Sequence, residues 1–342
     1  MLPHHRRVLA VAALTLAASA AGASAFASGR DDPQAQIAFR RFLDLENTTG
    51  AIFVADAHGG HVRQVTTPLP GGLDNEPSWT PDGRRILFTR QPADEDGPFR
   101  DFWTVRADGS DARLLSPGCP RVPTPCLGNE QRSQPRYSPD GRQISYNWAA
   151  GDVRDDIGQI EFSELYVMNA DGSHPHALTS FTADDPYGSD NGNATWSPDS
   201  RTLVFNHLTS PVGTPASSTA MFLIGRDGSG LRQLTPYALR AGGRAAWFPD
   251  GRTIAFRTVP ADDAPGGDIY TIRSNGTGLR QLTHFAPAQL GELAVSPDGR
   301  QIVFSRGGDR RDLYVMRADG GHIRQITQTD LSENWPDWRP FR

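Results

Sequence analysis

Three features of the sequence predict an all-β chain built from repeated four-stranded units. A motif of an apolar or aromatic residue, one residue, Pro-Asp-Gly (once Pro-Asp-Ser) and Arg recurs at 79–88, 137–146, 196–205, 247–256 and 295–304. A second motif, a hairpin ending in Thr or Ser, recurs at 52–66, 103–116, 166–179, 222–235, 270–283 and 314–327. Glycine (35) and proline (27) separate short apolar runs, as they do in turn-rich β proteins. Self-similarity at such a period indicates a repeat architecture.

One complete unit lies at 292–327. We predict strand A at 293–296, a turn at 297–299 and strand B at 301–306. Strand C follows at 312–317, a second turn at 318–321 and strand D at 323–327. Asp-Gly between β-branched and aromatic runs is a strong hairpin signal. Four antiparallel strands in about 45 residues are typical of one propeller blade.

The two chain ends each contain half of a unit. Residues 36–40 match strand B but have no Pro-Asp-Gly before them, and residues 333–342 match strand A but have no strand B after them. Together they complete a blade whose innermost strand comes from the C-terminus. We therefore predict a six-bladed β-propeller of four-stranded antiparallel blades, closed by C-terminal strand A joining N-terminal strands B–D. Closure removes the unpaired sheet edges of an open arrangement.

These motifs carry a resemblance to a known family. The W-x-P-D-G-R-x-I-x-F units, the Arg-Gln-Leu-Thr hairpin endings and the closing Trp338-Arg-Pro-Phe341 resemble the TolB propeller and the wider family of WD-like Pro-Asp repeats. The resemblance covers Gln36 to Arg342. It does not include the α/β domain that precedes the TolB propeller, nor the contacts, notably with TolA, made through that N-terminal region. It implies envelope partners such as a peptidoglycan-associated lipoprotein.

The chain begins with a predicted signal peptide. Arg6 and Arg7 precede an uncharged Ala- and Leu-rich run at 8–21, and Ala23-Ser-Ala25 or Ala25-Phe-Ala27 fits a cleavage site. The run is short for a membrane span. We assign 1–25 to the signal peptide, 26–34 to a linker and 35–342 to the propeller. We expect the mature chain to be periplasmic or secreted and to have no transmembrane segment. Export would follow a Sec or a twin-arginine route.

Composition excludes several classes of function. The net charge is −5, and it becomes −7 without residues 1–25, since 32 basic residues then face 39 acidic ones. Every basic residue is Arg, which excludes chemistry that depends on a catalytic Lys. A mildly acidic exported chain lacks the basic face that nucleic-acid phosphates require. We expect a monomer that does not bind nucleic acid.

The only two cysteines, Cys119 and Cys126, lie in a Pro-rich segment. In an oxidising compartment we expect them to form a disulfide that closes this loop. Their spacing is too wide for a C-x-x-C redox motif.

Repetition separates scaffold from candidate site. The Asp and Arg of the Pro-Asp-Gly motif recur at one position in each of the five complete A–B units, so we interpret them as turn residues. Ser200 replaces the turn Gly in one unit, which predicts a slightly different turn. Catalytic signatures such as G-x-S-x-G and H-E-x-x-H are absent from the sequence. We therefore assign no catalytic residue, no metal ligand and no cofactor.

Length variation is confined to the B–C loops and D–A links, which open on one side of a propeller, here called the loop-bearing face. These segments are 91–100, 117–130, 149–162, 180–192, 208–218 and 260–266. Function in repeat folds tends to lie in such one-sided insertions. Many of these loops are acidic, so calcium binding is an alternative to solvated charge, although none has EF-hand spacing.

The channel mouth on that face should be lined by residues three positions before the first apolar residue of each motif. These residues are Glu76, Gln134, Asn193, Arg244, Glu292 and Trp335. Trp148, His207 and His284 should lie nearby. Such a rim suits a peptide end or a small polar ligand, or it is a water-filled funnel without a ligand.

Our first hypothesis is an exported, non-enzymatic propeller that binds a protein or peptide through its loop-bearing face. The rival is a propeller-type hydrolase or polysaccharide lyase that acts on an extracellular substrate. Such a lyase would need clustered His residues near the channel, and such a peptidase would need an appended hydrolase domain. Neither feature is evident in the sequence.

Overall fold

The computed structural model describes residues 35–91, 100–116, 130–154, 158–180, 189–209, 218–260, 266–285 and 289–341. These contain 24 strands and one 3-10 helix, Tyr237–Leu239, and no helix among them is long and apolar enough to cross a membrane. The predicted signal peptide and linker, the Cys119–Cys126 loop and most of the acidic loop residues lie outside the described residues.

The strands form six blades, each ordered A-B-C-D outward from the centre. Blade 1 contains β24 (Glu333–Trp338), β1 (Gln36–Phe42), β2 (Gly50–Asp56) and β3 (Arg63–Gln64). Blade 2 contains β4 (Leu73–Trp79), β5 (Arg85–Gln91), β6 (Asp101–Arg106) and β7 (Arg113–Ser116). Blade 3 contains β8 (Glu130–Tyr137), β9 (Gln143–Arg154), β10 (Gly158–Asn169) and β11 (His176–Ala177). Blade 4 contains β12 (Ser189–Trp196), β13 (Thr202–Thr209), β14 (Ser218–Gly225) and β15 (Arg232–Gln233). Blade 5 contains β16 (Ala241–Trp247), β17 (Thr253–Thr258), β18 (Ile269–Arg273) and β19 (Arg280–Gln281). Blade 6 contains β20 (Gln289–Val295), β21 (Gln301–Gly307), β22 (Arg311–Arg317) and β23 (Arg324–Gln325).

The predicted fold class is confirmed, and the chain ends pair as the half-units require. Strand β24 runs antiparallel to β1, with Ile37 opposite Trp338 and Arg41 opposite Glu333. The C-terminal strand thereby supplies the innermost strand of blade 1.

The inner and outer strands differ in length from the prediction. Strand β20 begins at Gln289 rather than at residue 293, because a β-bulge between Leu290 and Leu293 lets pairing continue beyond the irregularity. Strand D is only two residues long in blade 6. There the Thr327 hydroxyl accepts a hydrogen bond from the Leu313 N–H of strand C at 2.9 Å. A side-chain oxygen thus takes the place of a strand D carbonyl in the C–D pairing. The same Thr bond occurs in blades 1, 3, 4 and 5, which explains the repeated Thr at the hairpin ends.

The core consists of six apolar clusters, each shared by two neighbouring blades. The fourth residue of strand B is a buried aromatic in each cluster, as at Phe88 between blades 1 and 2 and at Phe304 between blades 5 and 6. Phe39 and Val303 pack together between blades 6 and 1, so the ring of clusters is continuous. Full burial of one such side chain stabilises the fold by roughly 1.5–3 kcal/mol.

Polar contacts also join neighbouring blades. The Arg of strand D donates to a carbonyl in the next C–D turn, as in Arg232 to Ser274 O and Arg324 to Ala57 O, both at 2.5 Å. Nearer the centre, the Trp338 indole N–H donates to Ala294 O at 3.2 Å. These bonds explain why Arg and Trp recur in the repeats.

The A–B turns show the scaffold role expected of their Asp residues. Asp298 Oδ1 accepts from Ser296 Oγ at 2.6 Å and from the Arg300 N–H at 3.0 Å. The expectation of a different turn at Ser200 was wrong. Ser200 adopts the left-handed φ of 60° and makes the same turn hydrogen bond as glycine, and its hydroxyl accepts the Asp140 N–H of the neighbouring blade at 3.0 Å.

Candidate functional site

The candidate site is the central channel, which the six A strands surround. Each A strand is irregular at the same depth, where its pairing with strand B shifts register. The six residues predicted for the channel mouth lie at these irregularities, and we call them the bulge ring: Glu76, Gln134, Asn193, Arg244, Glu292 and Trp335. Four of them have a left-handed φ between 56° and 60°. A β-bulge changes the direction of the side chain at the irregular residue.

Hydrogen bonds from bulge-ring side chains join one blade to the next. Glu76 Oε2 accepts the Gln134 N–H, and Gln134 Oε1 accepts the Asn193 N–H, both at 2.6 Å. Glu292 Oε2 accepts the Arg244 N–H at 2.6 Å. Glu76, Arg244 and Glu292 are buried, with 6 % exposure or less. In the structure these residues therefore bond to protein backbone rather than standing open at a mouth.

The buried carboxylates of the bulge ring also pair with guanidinium groups. Glu292 Oε1 lies 3.3 Å from Arg257 Nη2, and Glu76 Oε1 lies 3.5 Å from Arg100 Nη1. Burial alone would raise the pKa of Glu292, but Arg257 and Arg244 hold that pKa below its ordinary value. The carboxylate is therefore ionised and already occupied at neutral pH.

Arg244 crosses the channel. Its Nε and Nη2 donate to Leu293 O of blade 6 at 3.2 and 3.0 Å, and Nη2 also reaches Pro336 O of blade 1. Its guanidinium carbon lies 5.8 Å from the centre of the Trp335 ring. Burial is the main cause that lowers the pKa of Arg244 to about 9. Arg244 thus divides the channel into two parts. The loop end opens toward the loop-bearing face, and the turn end opens toward the A–B turns on the opposite face.

The other three predicted site residues do not join the bulge ring. Trp148 and His207 pack on aromatic rings of their own blades, at 5.6 Å from Tyr166 and 5.4 Å from Phe222. His207 lines a separate cavity of about 390 Å³ with Leu178, Phe222 and others, between blades 3 and 4. His284 is exposed and lies 3.0 Å from Gln281 Nε2.

At the turn end the channel opens into a cavity of about 360 Å³, lined by all six blades. Three rings of equivalent residues form its wall. The lining ring, nearest Arg244, contains Ser78, Arg136, Thr195, Ala246, Ala294 and Asp337. The rim residues are Trp79, Tyr137, Trp196, Trp247, Val295 and Trp338. Outside them lie Pro81, Pro139, Pro198, Pro249, Pro297 and Pro340.

One ion pair spans this cavity. Arg136 Nη1 of blade 3 lies 3.0 Å from Asp337 Oδ1 of blade 1, and Asp337 Oδ2 accepts the Trp79 N–H of blade 2 at 2.9 Å. Sequence reasoning missed both residues of the pair, because the search stopped at the bulge-ring position. The sequence did contain a signal, two residues after each bulge-ring position. At that position the repeats differ, with Arg136, Asp337 and Ala246 in three of the blades.

The chemistry of the channel is that of recognition by hydrogen bonds, ion pairs and aromatic surfaces. In the part of the chain that the structure describes, no group of three His, Cys, Asp or Glu side chains is arranged to hold a metal ion. The acidic loop residues considered for calcium mostly lie outside that part, so the calcium alternative stays untested. The described groups can bind and orient a polar or aromatic ligand.

Fold and channel together define a six-bladed β-propeller, and comparison with solved structures refines this class. The chain is similar to TolB from Acinetobacter baumannii, with a TM-score of 0.64 and 18 % identity over 90 % of this chain and 67 % of that one. It is similar to a putative TolB from Agrobacterium tumefaciens, with a TM-score of 0.55 and 18 % identity over 90 % of this chain and 99 % of that one. It is also similar to a puromycin-hydrolysing peptidase of Mycobacterium tuberculosis, with a TM-score of 0.52 and 14 % identity over 81 % of this chain but only 42 % of that one.

No protein-family model and no curated protein sequence matches the chain. The structural likenesses confirm the resemblance stated from the motifs: the chain has the fold of a TolB-like β-propeller.

Proposed function

We propose that the chain is an exported, non-enzymatic binding protein that docks a protein or peptide on its loop-bearing face. The observation that carries this proposal is the β9–β10 hairpin of blade 3. In blade 6 the B–C pairing ends at Gly307 and Arg311, whose equivalents in blade 3 are Ala149 and Ser163. In blade 3 the pairing continues to Arg154 and Gly158.

The hairpin therefore projects from the loop-bearing face. Five further residue pairs, at about 3.4 Å per residue, extend it by roughly 17 Å. Main-chain groups along such an extension can pair with an added strand, which is a common way to bind an extended peptide. The bulge-ring carboxylates are buried and already bonded to neighbouring blades, so the hairpin, and not the ring, is the docking element of this proposal.

Replacement of residues 150–162 by Asn-Gly tests the proposal. The Asn-Gly turn would connect the Ala149 and Ser163 pair in a two-residue hairpin, so the blade itself stays intact. We expect the mature protein to retain a partner from envelope extract and the shortened variant to lose it. The soluble domain of a peptidoglycan-associated lipoprotein is the first purified partner to titrate, by calorimetry.

His176→Ala is the matched control, because His176 is exposed at the opposite end of the same blade. Retention of the partner by the shortened variant would contradict docking on the loop-bearing face. Recovery of only a processed sugar or peptide would favour the hydrolase or lyase alternative. Export is tested separately, since the mass of protein recovered outside the cytoplasm should correspond to cleavage after Ala25 or Ala27.

A further inference from the structure

The cavity at the turn end lies on the face opposite the proposed partner site. Its wall breaks the symmetry of the repeat. In the lining ring, blades 5 and 6 contribute only Ala246 and Ala294, and the rim residue of blade 6 is Val295 where the other five blades have Trp or Tyr. The open space is therefore concentrated beside blades 5 and 6. Scaffold demands would repeat around the ring, so this asymmetry requires another explanation.

The polar groups of the cavity lie opposite and beneath this space. Arg136 and Asp337 form the ion pair on the side of blades 1 and 3, and Arg244 lies at the inner end. Among the residues that the structure describes, these three are the only charged ones that line the cavity. Two cations therefore face a single carboxylate, and that carboxylate already bonds to Arg136 and to the Trp79 N–H.

Arg244 is a buried cation whose guanidinium, within the described residues, bonds to the carbonyl oxygens of Leu293 and Pro336. It is 2 % exposed, and its Nη1 has no hydrogen-bond partner among the described residues. Glu292 of blade 6 bonds to the Arg244 backbone N–H, and no hydrogen bond joins it to the guanidinium among the described residues. Buried charges are normally paired, because an uncompensated charge in a protein interior is costly.

We propose that this cavity binds a small organic carboxylate with a ring-sized apolar body. The carboxylate lies beside Arg244 and Arg136, the two cations of the cavity wall, and compensates the charge of the buried Arg244 guanidinium. The apolar body fills the space beside Ala246, Ala294 and Val295 and packs against the Trp247 indole. A volume of about 360 Å³ lies at the lower end of the range of small-molecule sites, which suits such a ligand.

Calorimetric titration with four probes tests the charge and the shape of this site. Phenylacetate and indole-3-acetate carry a carboxylate, phenethylamine carries a cation on a similar body, and indole is neutral. We expect saturable binding of the two carboxylates, at least about tenfold tighter than binding of phenethylamine or indole. No saturable carboxylate binding, or equal binding of phenethylamine, would overturn the proposal.

Val295→Trp tests the location. Trp occupies this position in four other blades, so the scaffold accepts it, and here it would fill the open side of the cavity. We expect phenylacetate affinity to fall by about tenfold or more. Leu279→Trp, at an exposed position in a C–D hairpin, is the control for added bulk and should bind as the parent does. Undiminished binding by folded Val295→Trp would place the ligand elsewhere and refute the site.

Arg244→Gln tests the cation directly, with the melting temperature recorded alongside. We expect the preference for phenylacetate over indole to disappear. Should this variant fail to fold, Val295→Trp decides the question alone. Partner capture on the loop-bearing face should be unaffected by Val295→Trp, so the two proposals fail independently.

Discussion

The two ends of the central channel are built by the same six strands but differ in how their side chains are satisfied. At the loop end, the carboxylates and amides of the bulge ring bond to the next blade at 2.6 Å. At the turn end, Arg244 retains a buried donor without a partner among the described residues, above a lined cavity. The residues that differ from blade to blade therefore have two different structural roles. At the loop end they serve to join unlike blades, and at the turn end they open space for a ligand.

The strongest test of this comparison removes the strand that serves both ends. Deletion of residues 333–342 removes Trp335 from the bulge ring and Asp337 from the cavity, and it exposes the edge of β1. We expect the melting temperature, measured by circular dichroism, to fall by more than about 10 °C, because several kcal/mol of inter-blade packing is lost. Deletion of Arg342 alone is the control. An unchanged melting curve for the longer deletion would contradict closure by β24.

A second test removes the carboxylate that links the two ends. Glu292 bonds to the backbone of Arg244 and pairs with Arg257, so Glu292→Gln leaves buried cations without their partner. Breaking a buried pair costs about 3–5 kcal/mol, and we expect urea unfolding to show a loss near the lower end of that range.

The matched control for this test is Asp298→Asn. The Asp298–Arg300 pair is exposed, with its charged atoms 3.9 Å apart, so its loss should cost less than about 1 kcal/mol. Equal destabilisation of the two variants would mean that the buried network contributes no more than a surface pair.

Much of the fold could be predicted because its determinants are local. Asp-Gly turns and alternating apolar residues specify hairpins, and the half-units at 36–40 and 333–342 specify how the ring closes. The direction of Arg244 could not be predicted in this way. Its position in the repeat fixes its depth in the channel, but its carbonyl partners, Leu293 and Pro336, come from two other blades. The cavity was missed for the same reason, since its size depends on small residues contributed by separate strands.

A third test uses pH to examine the turn end. Burial and the nearby Arg136 lower the pKa of Arg244 to about 9, although Asp337, Glu292 and Glu76 oppose the change. Burial raises the pKa of Tyr137, which also lines the cavity and therefore stays neutral. We expect phenylacetate binding to be constant near pH 7–8 and to weaken as pH rises through about 9, because the guanidinium then loses its charge.

The same depressed pKa affects stability in the opposite direction. Above the folded pKa of about 9, and up to the higher ordinary pKa of an arginine, the unfolded chain binds more protons at this group, so its contribution favours the folded state more as pH rises. Binding that weakens above pH 9 while the protein stays folded would therefore assign the effect to the site. Binding that is flat across this range would exclude Arg244 as the anion partner.

The smallest expected effect comes from a variant in an A–B turn. It tests whether a change in these turns alters the free energy of unfolding without altering ligand binding in the cavity. Ser200→Gly relieves the backbone strain of a non-glycine residue in the left-handed conformation, but it also removes the hydrogen bond from the Asp140 N–H. Each effect changes the free energy of unfolding by about 1 kcal/mol. The two nearly cancel, so urea unfolding should change by less than about 0.5 kcal/mol.

The reverse change, Gly251→Ser, is the matched comparison. Gly251 has a φ of 64°, and a Cβ there would have no neighbour within 4 Å, so the new side chain gains no packing contact to offset the strain. We expect it to destabilise the protein by about 1 kcal/mol. Phenylacetate affinity should be unchanged in both variants, because neither residue lines the cavity. A shift in that affinity would mean that the turns and the cavity are coupled, and the separation between scaffold and site on this face would then fail.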